Sequence, residues 1–424
     1  MKELERRKLL ILGATSSEIS LVQRAQEHGI YVIITDNHTN YELAPAKKYA
    51  DEAWDISWSD IKTLKPLCVE NHIDGVLAGY SEIRVENMIK LCKELNLPCY
   101  LNEEQLDITR NKIKFKECCR KYNIPVVKEY DTVNDVDQFP VIVKPTDRAG
   151  SIGISIANDY EELVKAYNYA LDLSLEKKVI IEQYISDCQK VDFYFWINEG
   201  ECQLISSCDT INAKNSNGKN VVQSSWVYPS KKTDAFNNKL YKNIKNMIFG
   251  MGIKKGCIFF SGFSDDNDEF VFFECGYRLE GGHQYNYTEK RGPINYLDSF
   301  IFDALEGNCK SISVKPINQN MKCITINIFA KAGTIKSIEG IEEISSLPIC
   351  TQALQYARIG QVCEDDKAIL SKVCLISFSS ESPKELQECV DYAYKTIKVL
   401  DQYGKNMIYD KIDTSIIPSL WYEK

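Results

Sequence analysis

The stretch that most constrains this chain is Val141-Ile142-Val143-Lys144-Pro145, followed by Thr146 to Gly153. Three β-branched residues in a row predict a short buried strand. Lys144 stands at its end, and Pro145, which has no N–H to donate, stops the ladder. Gly150, Ser151 and Gly153 then lead into a second run, Ile152, Ile154 and Ile156, with period two. A small-residue loop therefore joins two antiparallel strands, with a lysine at its entrance. Glycines let backbone N–H groups approach phosphate oxygens, and a lysine adds a point charge. An ordinary hairpin with an exposed lysine is the plainer reading. The glycines lead into a strand and no Gly-Lys-Ser/Thr occurs, so this is not a Walker loop.

Around this stretch, 424 residues are enough for about three domains at ~150 residues each. A net charge of −9 argues against nucleic acid, whose partners present a basic face. No apolar run reaches the length of a membrane span, and Leu9–Gly13 is too short for a signal-peptide core. Sixteen cysteines without a CxxC pair, beside four histidines, argue against zinc and for reduced thiols in a cytoplasmic protein.

Residues 8–12 and 30–35 predict strands on either side of a helix, and 74–80 a further strand before a helix with Val85, Met88, Ile89 and Cys92 on one face. Such alternation predicts a small doubly wound parallel domain. Its loops Gly13–Ser17 and Gly79–Glu82 would face a ligand cleft. Only Gly13 survives of a dinucleotide fingerprint, so an oxidoreductase reading is weak, and Asp36 fits either a ribose contact or a loop cap. Helices are expected over 102–122, 159–173, 234–250 and 383–401, a hairpin across Asn198-Glu199-Gly200, and a polar mobile loop over 212–220.

Four spaced segments resemble the ATP-grasp superfamily: Ala44–Asp51, Asn111-Lys112, the Lys144 loop with Val179–Ile185, and Glu274-Cys275-Gly276-Tyr277-Arg278. Ala332–Gly340 resembles the small domain that follows such cores in carboxylases and carbamoyl-phosphate-synthase-like proteins. The resemblance implies an ATP-grasp fold of mixed α/β and α+β class. Its expected parts are a Rossmann-like pre-ATP-grasp domain (1–101), the core (102–310) and a β-rich C-terminal domain (311–424). It implies ATP on Lys112, Lys144 and the loop residues Gly150, Ser151 and Gly153, with Glu182, Gln183 and Ile185 lining the adenine pocket. Asp192 is a substitute for a ribose-binding glutamate that is missing here.

The same resemblance makes Glu274 a Mg²⁺ ligand and Arg278 the catalytic residue that steadies the transferred phosphoryl group. The superfamily pattern is Glu-x-Asn-x-Arg, with a second metal-binding glutamate about twelve residues upstream. Here Gly276 replaces the asparagine, and Gly262 or Ser261 stands where the glutamate belongs. The implied activity is an ADP-forming ligase: a carboxylate is activated as its acyl phosphate and attacked by an amine, less often a thiol. The alternative is an ATP-binding protein without turnover. Partners would be small-molecule carboxylates and amines, with neither nucleic acid nor membrane, and a homodimer is allowed for.

Overall fold

A computed structural model describes residues 4, 6–146, 153–185, 188–214, 220–364, 371–409 and 411–421. The expected positions Gly150 and Ser151 lie outside the described residues. Near the N-terminus, β1 (Lys8–Leu12), β2 (Tyr31–Thr35), β3 (Glu52–Trp54) and β4 (Gly75–Ala78) form a parallel sheet in the order β3-β2-β1-β4. Leu9 to Leu12 and Val32 to Thr35 are buried without interruption, as a strand covered on both faces requires. Val85, Met88, Ile89 and Cys92 make the inner face of helix Glu82–Leu95, as their spacing predicts.

The single helix expected over 102–122 is two, Glu103–Arg110 and Lys112–Lys121. Asn111 ends the first and caps the second, its side chain accepting the N–H groups of Ile113 and Lys114. Asparagine competes with the helix for its own backbone and so favours this position. Lys112 thereby becomes the first residue of a helix. The expected helix 234–250 is likewise divided at Leu240, and the last one stops at Thr396.

A second, antiparallel sheet holds β5 (Glu129–Tyr130), β6 (Val141–Pro145), β7 (Ser155–Ala157) and β8 (Val179–Gln183), ordered β5-β8-β6-β7. Helix Tyr160–Leu173 covers it, and together they enclose their own small hydrophobic cluster around Val141, Val143 and Leu163. The largest sheet runs β13 (Phe270–Gly276), β12 (Lys255–Ser264), β9 (Gln189–Asn198), β10 (Glu201–Lys214), β11 (Asn220–Tyr228) and β14 (Lys322–Ala330). It continues through strands Lys372–Ser380 and Cys350–Gln355. One ladder thus crosses residue 310, since β11 pairs with β14. Polar residues 212–214, expected in a loop, extend β10 because Asn212 and Ala213 face Gln223 and Val222 in the hairpin ladder. Residues 215–219 lie outside the described residues.

Candidate active site

The site lies where the small sheet, helix Lys112–Lys121, the face of the large sheet and the first domain's β4 loop meet. Lys144 near the end of β6 and Glu182 on β8 are diagonal cross-strand neighbours, because Ile142 pairs with Glu182 and Lys144 with Ile180. The Lys144 ammonium lies 2.6 Å from the Glu182 carboxylate. The fully buried Lys116 closes on the other oxygen of Glu182 and also reaches Glu129 at 2.9 Å. Burial raises the pKa of Glu182, but Lys144 and Lys116 overcome it and hold the carboxyl below its ordinary value. The Glu182 side chain therefore neutralises two buried lysines. Lys116 was not singled out in the sequence, although it stands one helical turn beyond Lys112.

Lys112 is the electrostatic hub. Burial lowers its pKa, Lys144 repels it, and Glu274, Glu182 and Glu82 attract it. The structure thus brings Lys112, Lys144, Glu182 and Glu274 together from segments spread over more than 160 positions. Gln183 is half-buried and gives its N–H to Lys128 O, while Tyr184 gives its N–H to Pro140 O, which fixes the strand end just before Ile185. Gly153 has φ +76°, and a Cβ there would stand 2.8 Å from Pro145 Cγ, so both conformation and space require glycine. The Lys144 and Lys190 ammonium groups lie over the Phe273 ring, at 5.6 and 5.9 Å.

On the large sheet Glu274 faces Ser261, and Ser261 faces Asp192 on the next strand. Of the two expected positions, Gly262 and Ser261, it is Ser261 that stands opposite Glu274 in the ladder. Gly276 has a steric cause. A Cβ there would stand 2.4 Å from Phe259 Cζ, so the phenyl ring fills the space an asparagine would take. Among the described residues no group of three or more His, Cys, Asp or Glu side chains is arranged to hold a metal. One carboxylate nevertheless fits magnesium, which is commonly bound by one or two carboxylates together with substrate phosphates.

Arg278 is committed to the first domain. Its Nε and Nη2 lie 2.7 and 2.5 Å from Glu82 Oε1, and Nη1 donates to Leu279 O at 2.8 Å. Burial opposes its charge, yet Glu82 more than offsets this and raises the pKa. The guanidinium also lies 5.5 Å over the Phe259 ring. Glu82, the last residue of loop Gly79–Glu82, thus meets the residue two positions past β13. At the other predicted loop, Arg84 packs against Gly13 and pairs with Glu18 at 2.9 Å. Asp36 accepts the His38 N–H at 3.0 Å, which makes it a loop cap.

Residues 111–289 match the family described as carbamoyl-phosphate synthase L chain, ATP binding domain. A formate-dependent phosphoribosylglycinamide formyltransferase of Prochlorococcus marinus is 31% identical over 192 residues, covering 42% of this chain and 48% of that protein. The chain thus matches about half the length of such relatives. Among solved structures, the L-amino acid ligase of Bacillus licheniformis superposes with TM-score 0.75 at 18% identity, over 94% of this chain and 99% of that one. The biotin carboxylase domain of Hydrogenobacter thermophilus 2-oxoglutarate carboxylase, solved with MgADP and bicarbonate, gives 0.76 at 17%, over 98% and 93%. Sequence match and superposition agree with the three sheets and the converging lysines: the chain has the ATP-grasp fold, and its residues 111–289 match the carbamoyl-phosphate synthase ATP-binding domain.

Proposed function

We propose that the protein is an ATP-dependent, ADP-forming ligase that activates a carboxylate as its acyl phosphate for attack by an amine. The observation that carries this reading is the convergence of Lys112, Lys144, Glu274 and Arg278 on one cleft. The reading is supported by structural neighbours described as an L-amino acid ligase and as a biotin carboxylase domain solved with MgADP and bicarbonate. In this reading residues 1–101, 102–310 and 311–424 act as pre-ATP-grasp domain, core and C-terminal domain. Substrates are small molecules, and the protein works in the cytoplasm with its thiols reduced. A homodimer is compatible with the reading. Among the described residues no helix is long and apolar enough to cross a membrane.

Lys112 and Lys144 would neutralise the nucleotide phosphates, while Glu182 keeps Lys144 in place and the strand end at Gln183–Ile185 borders the adenine. Magnesium, when bound, supplies further charge neutralisation between phosphates, and Glu274 would hold it. Arg278 would turn from Glu82 toward the phosphoryl oxygens as charge develops on them. A carboxylate oxygen attacks phosphorus as the bond to ADP breaks. The amine then forms the C–N bond and phosphate leaves. Such chemistry needs positioning and charge more than a dedicated base.

A second reading, nucleotide binding without turnover, is favoured by Ser261 and Gly276 standing where metal ligands are expected. Magnesium-dependent ADP release against a panel of carboxylates and amines decides between the two. Release that is lost in Glu274→Ala supports the ligase. Mg-ATP binding with no release for any pair supports the second reading.

A further inference from the structure

Beyond Arg278 the structure carries another set of partly buried charges. Glu280 lies in the turn after β13, where its carboxylate accepts the Gly282 N–H at 2.6 Å. Burial, and next the neighbouring Asp192, push its pKa up. Lys372 opens strand Lys372–Ser380, and its ammonium lies 4.5 Å over the Tyr356 ring and 5.9 Å over that of Trp226. Burial brings its pKa down to about 8, with Glu280 the principal attracting neighbour. The two groups do not close on one another, since Glu280 is turned to Gly282 and Lys372 rests on rings. A partly buried ammonium with no anionic contact among the described residues is costly, and an incoming carboxylate would relieve that cost.

Two further groups point the same way. Tyr228 Oη and Gln284 Nε2 are buried with no hydrogen-bond partner. Tyr228 Oη lies 3.4 Å from where a Cβ on Gly282 would be, and Gln284 belongs to the same turn. Buried polar atoms are nearly always satisfied, so unpartnered ones beside a cleft mark a place for a polar ligand. Lys372 lies over the Tyr356 ring, and the Tyr356 hydroxyl stands 2.9 Å from His283 Nε2 in the turn that holds Glu280. Glu280 follows Arg278 by two residues, so the turn joins the phosphoryl end of the site to Lys372.

The geometry points to an acceptor subsite for an amino acid, whose carboxylate would sit on Lys372 and whose amino group would sit on Glu280, facing the acyl group beside Arg278. This rests on the ligase reading and adds the class of the amine. Glu280 accepts one proton from the ammonium. The nitrogen lone pair then forms the C–N bond to the acyl carbon, and the bond from that carbon to the phosphate oxygen breaks. The phosphate leaves with the electron pair and takes up the second nitrogen-bound proton.

The test is calorimetric titration of the full chain, with ADP present, against each of the twenty common L-amino acids and the primary amine left by removing its carboxyl group. At least one amino acid should bind, its decarboxylated counterpart at least tenfold more weakly. Lys372→Gln should weaken amino-acid binding at least tenfold, whereas Lys372→Arg retains it. Glu280→Gln should keep binding but lower amide formation on the order of a hundredfold, the usual contribution of a positioned proton acceptor. The subsite is overturned if no amino acid binds, if amine and amino acid bind alike, or if Lys372→Gln binds as tightly as the unmodified chain. ADP release with simple amines that is equal in the unmodified chain and Lys372→Gln leaves the ligase and removes the subsite. Amino-acid binding that depends on Lys372, without ADP release for any pair, leaves the subsite and removes the ligase.

Discussion

Glu182→Gln is the sharpest probe of how this cleft is held together. The substitution keeps shape but removes the anion shared by Lys144 and Lys116, whose side chains are 7% and 0% exposed. Removing one partner of a buried ion pair costs about 3–5 kcal/mol, because the remaining charge is left uncompensated. Lys116 keeps Glu129 at 2.9 Å, which places the expected loss near the lower end, about 3 kcal/mol. The loss should be local, since the small sheet has its own hydrophobic cluster. Amide hydrogen exchange of β6 and β8 at pH 7 reads it directly. The sign in acid follows from the depressed pKa of Glu182. Its stabilising contribution is present above the unfolded value of about 4.3 and is lost as pH falls through the lower folded value. The difference between the two proteins should therefore shrink toward zero in acid. Adding Lys116→Met should recover part of the stability at pH 7. A difference below about 1 kcal/mol at pH 7, or one that persists in acid, would refute this account of the cluster.

Lys112→Ala and Lys144→Ala should each weaken ATP binding on the order of tenfold, the worth of one charge-assisted contact, and unchanged affinity in both would remove them from the phosphates. Glu82→Gln should lower turnover more than ATP affinity, because it frees Arg278 from its fixed position; a change confined to nucleotide affinity counts against that role. Gly276→Asn should destabilise the fold by about 1–3 kcal/mol by overpacking against Phe259, and pairing it with Phe259→Ala should recover most of this in thermal unfolding. Among the described residues no disulfide joins the cysteines, and prompt alkylation of the native protein should be confined to the partly exposed Cys99, Cys118, Cys188, Cys350 and Cys389.

Much of this architecture is legible in the sequence. The apolar runs at 9–12 and 32–34 read as covered strands, and the spacing of Val85, Met88, Ile89 and Cys92 gives a helix face. The strand-end place of Lys144 is legible locally, whereas Lys112, Glu274 and Arg278 stand out through the ATP-grasp resemblance. The side-chain partners were less legible. Glu82 and Arg278 are 196 positions apart, and only the docking of the first domain onto β13 brings them together. Lys116 looked like one more charge on a polar helix, since nothing local reveals that Glu129 and Glu182 close over it. Asn111 shows the opposite failure. Its capping preference is local, but it was outweighed by the helical pattern on both sides of it.

The ion pairs change what nucleotide binding means for this protein. Lys144 already has Glu182, Arg278 already has Glu82, and Lys112 is drawn toward Glu274. Phosphate oxygens arriving in the cleft would therefore exchange one anionic partner for another, and the net gain is smaller than the contacts alone suggest. The arrangement keeps these cations in place before the ligand arrives, so little ordering remains at the moment of binding. It also ties the reacting end to the first domain. An Arg278 that turns toward a phosphoryl group releases Glu82, and with it the start of helix Glu82–Leu95 at the carboxyl end of β4. A serine at 261 opposite Glu274, where a second carboxylate would stand, makes the site less negative. The cations then carry more of the phosphate charge, so Lys112 and Lys144 should matter more here than in a site with a full set of metal ligands.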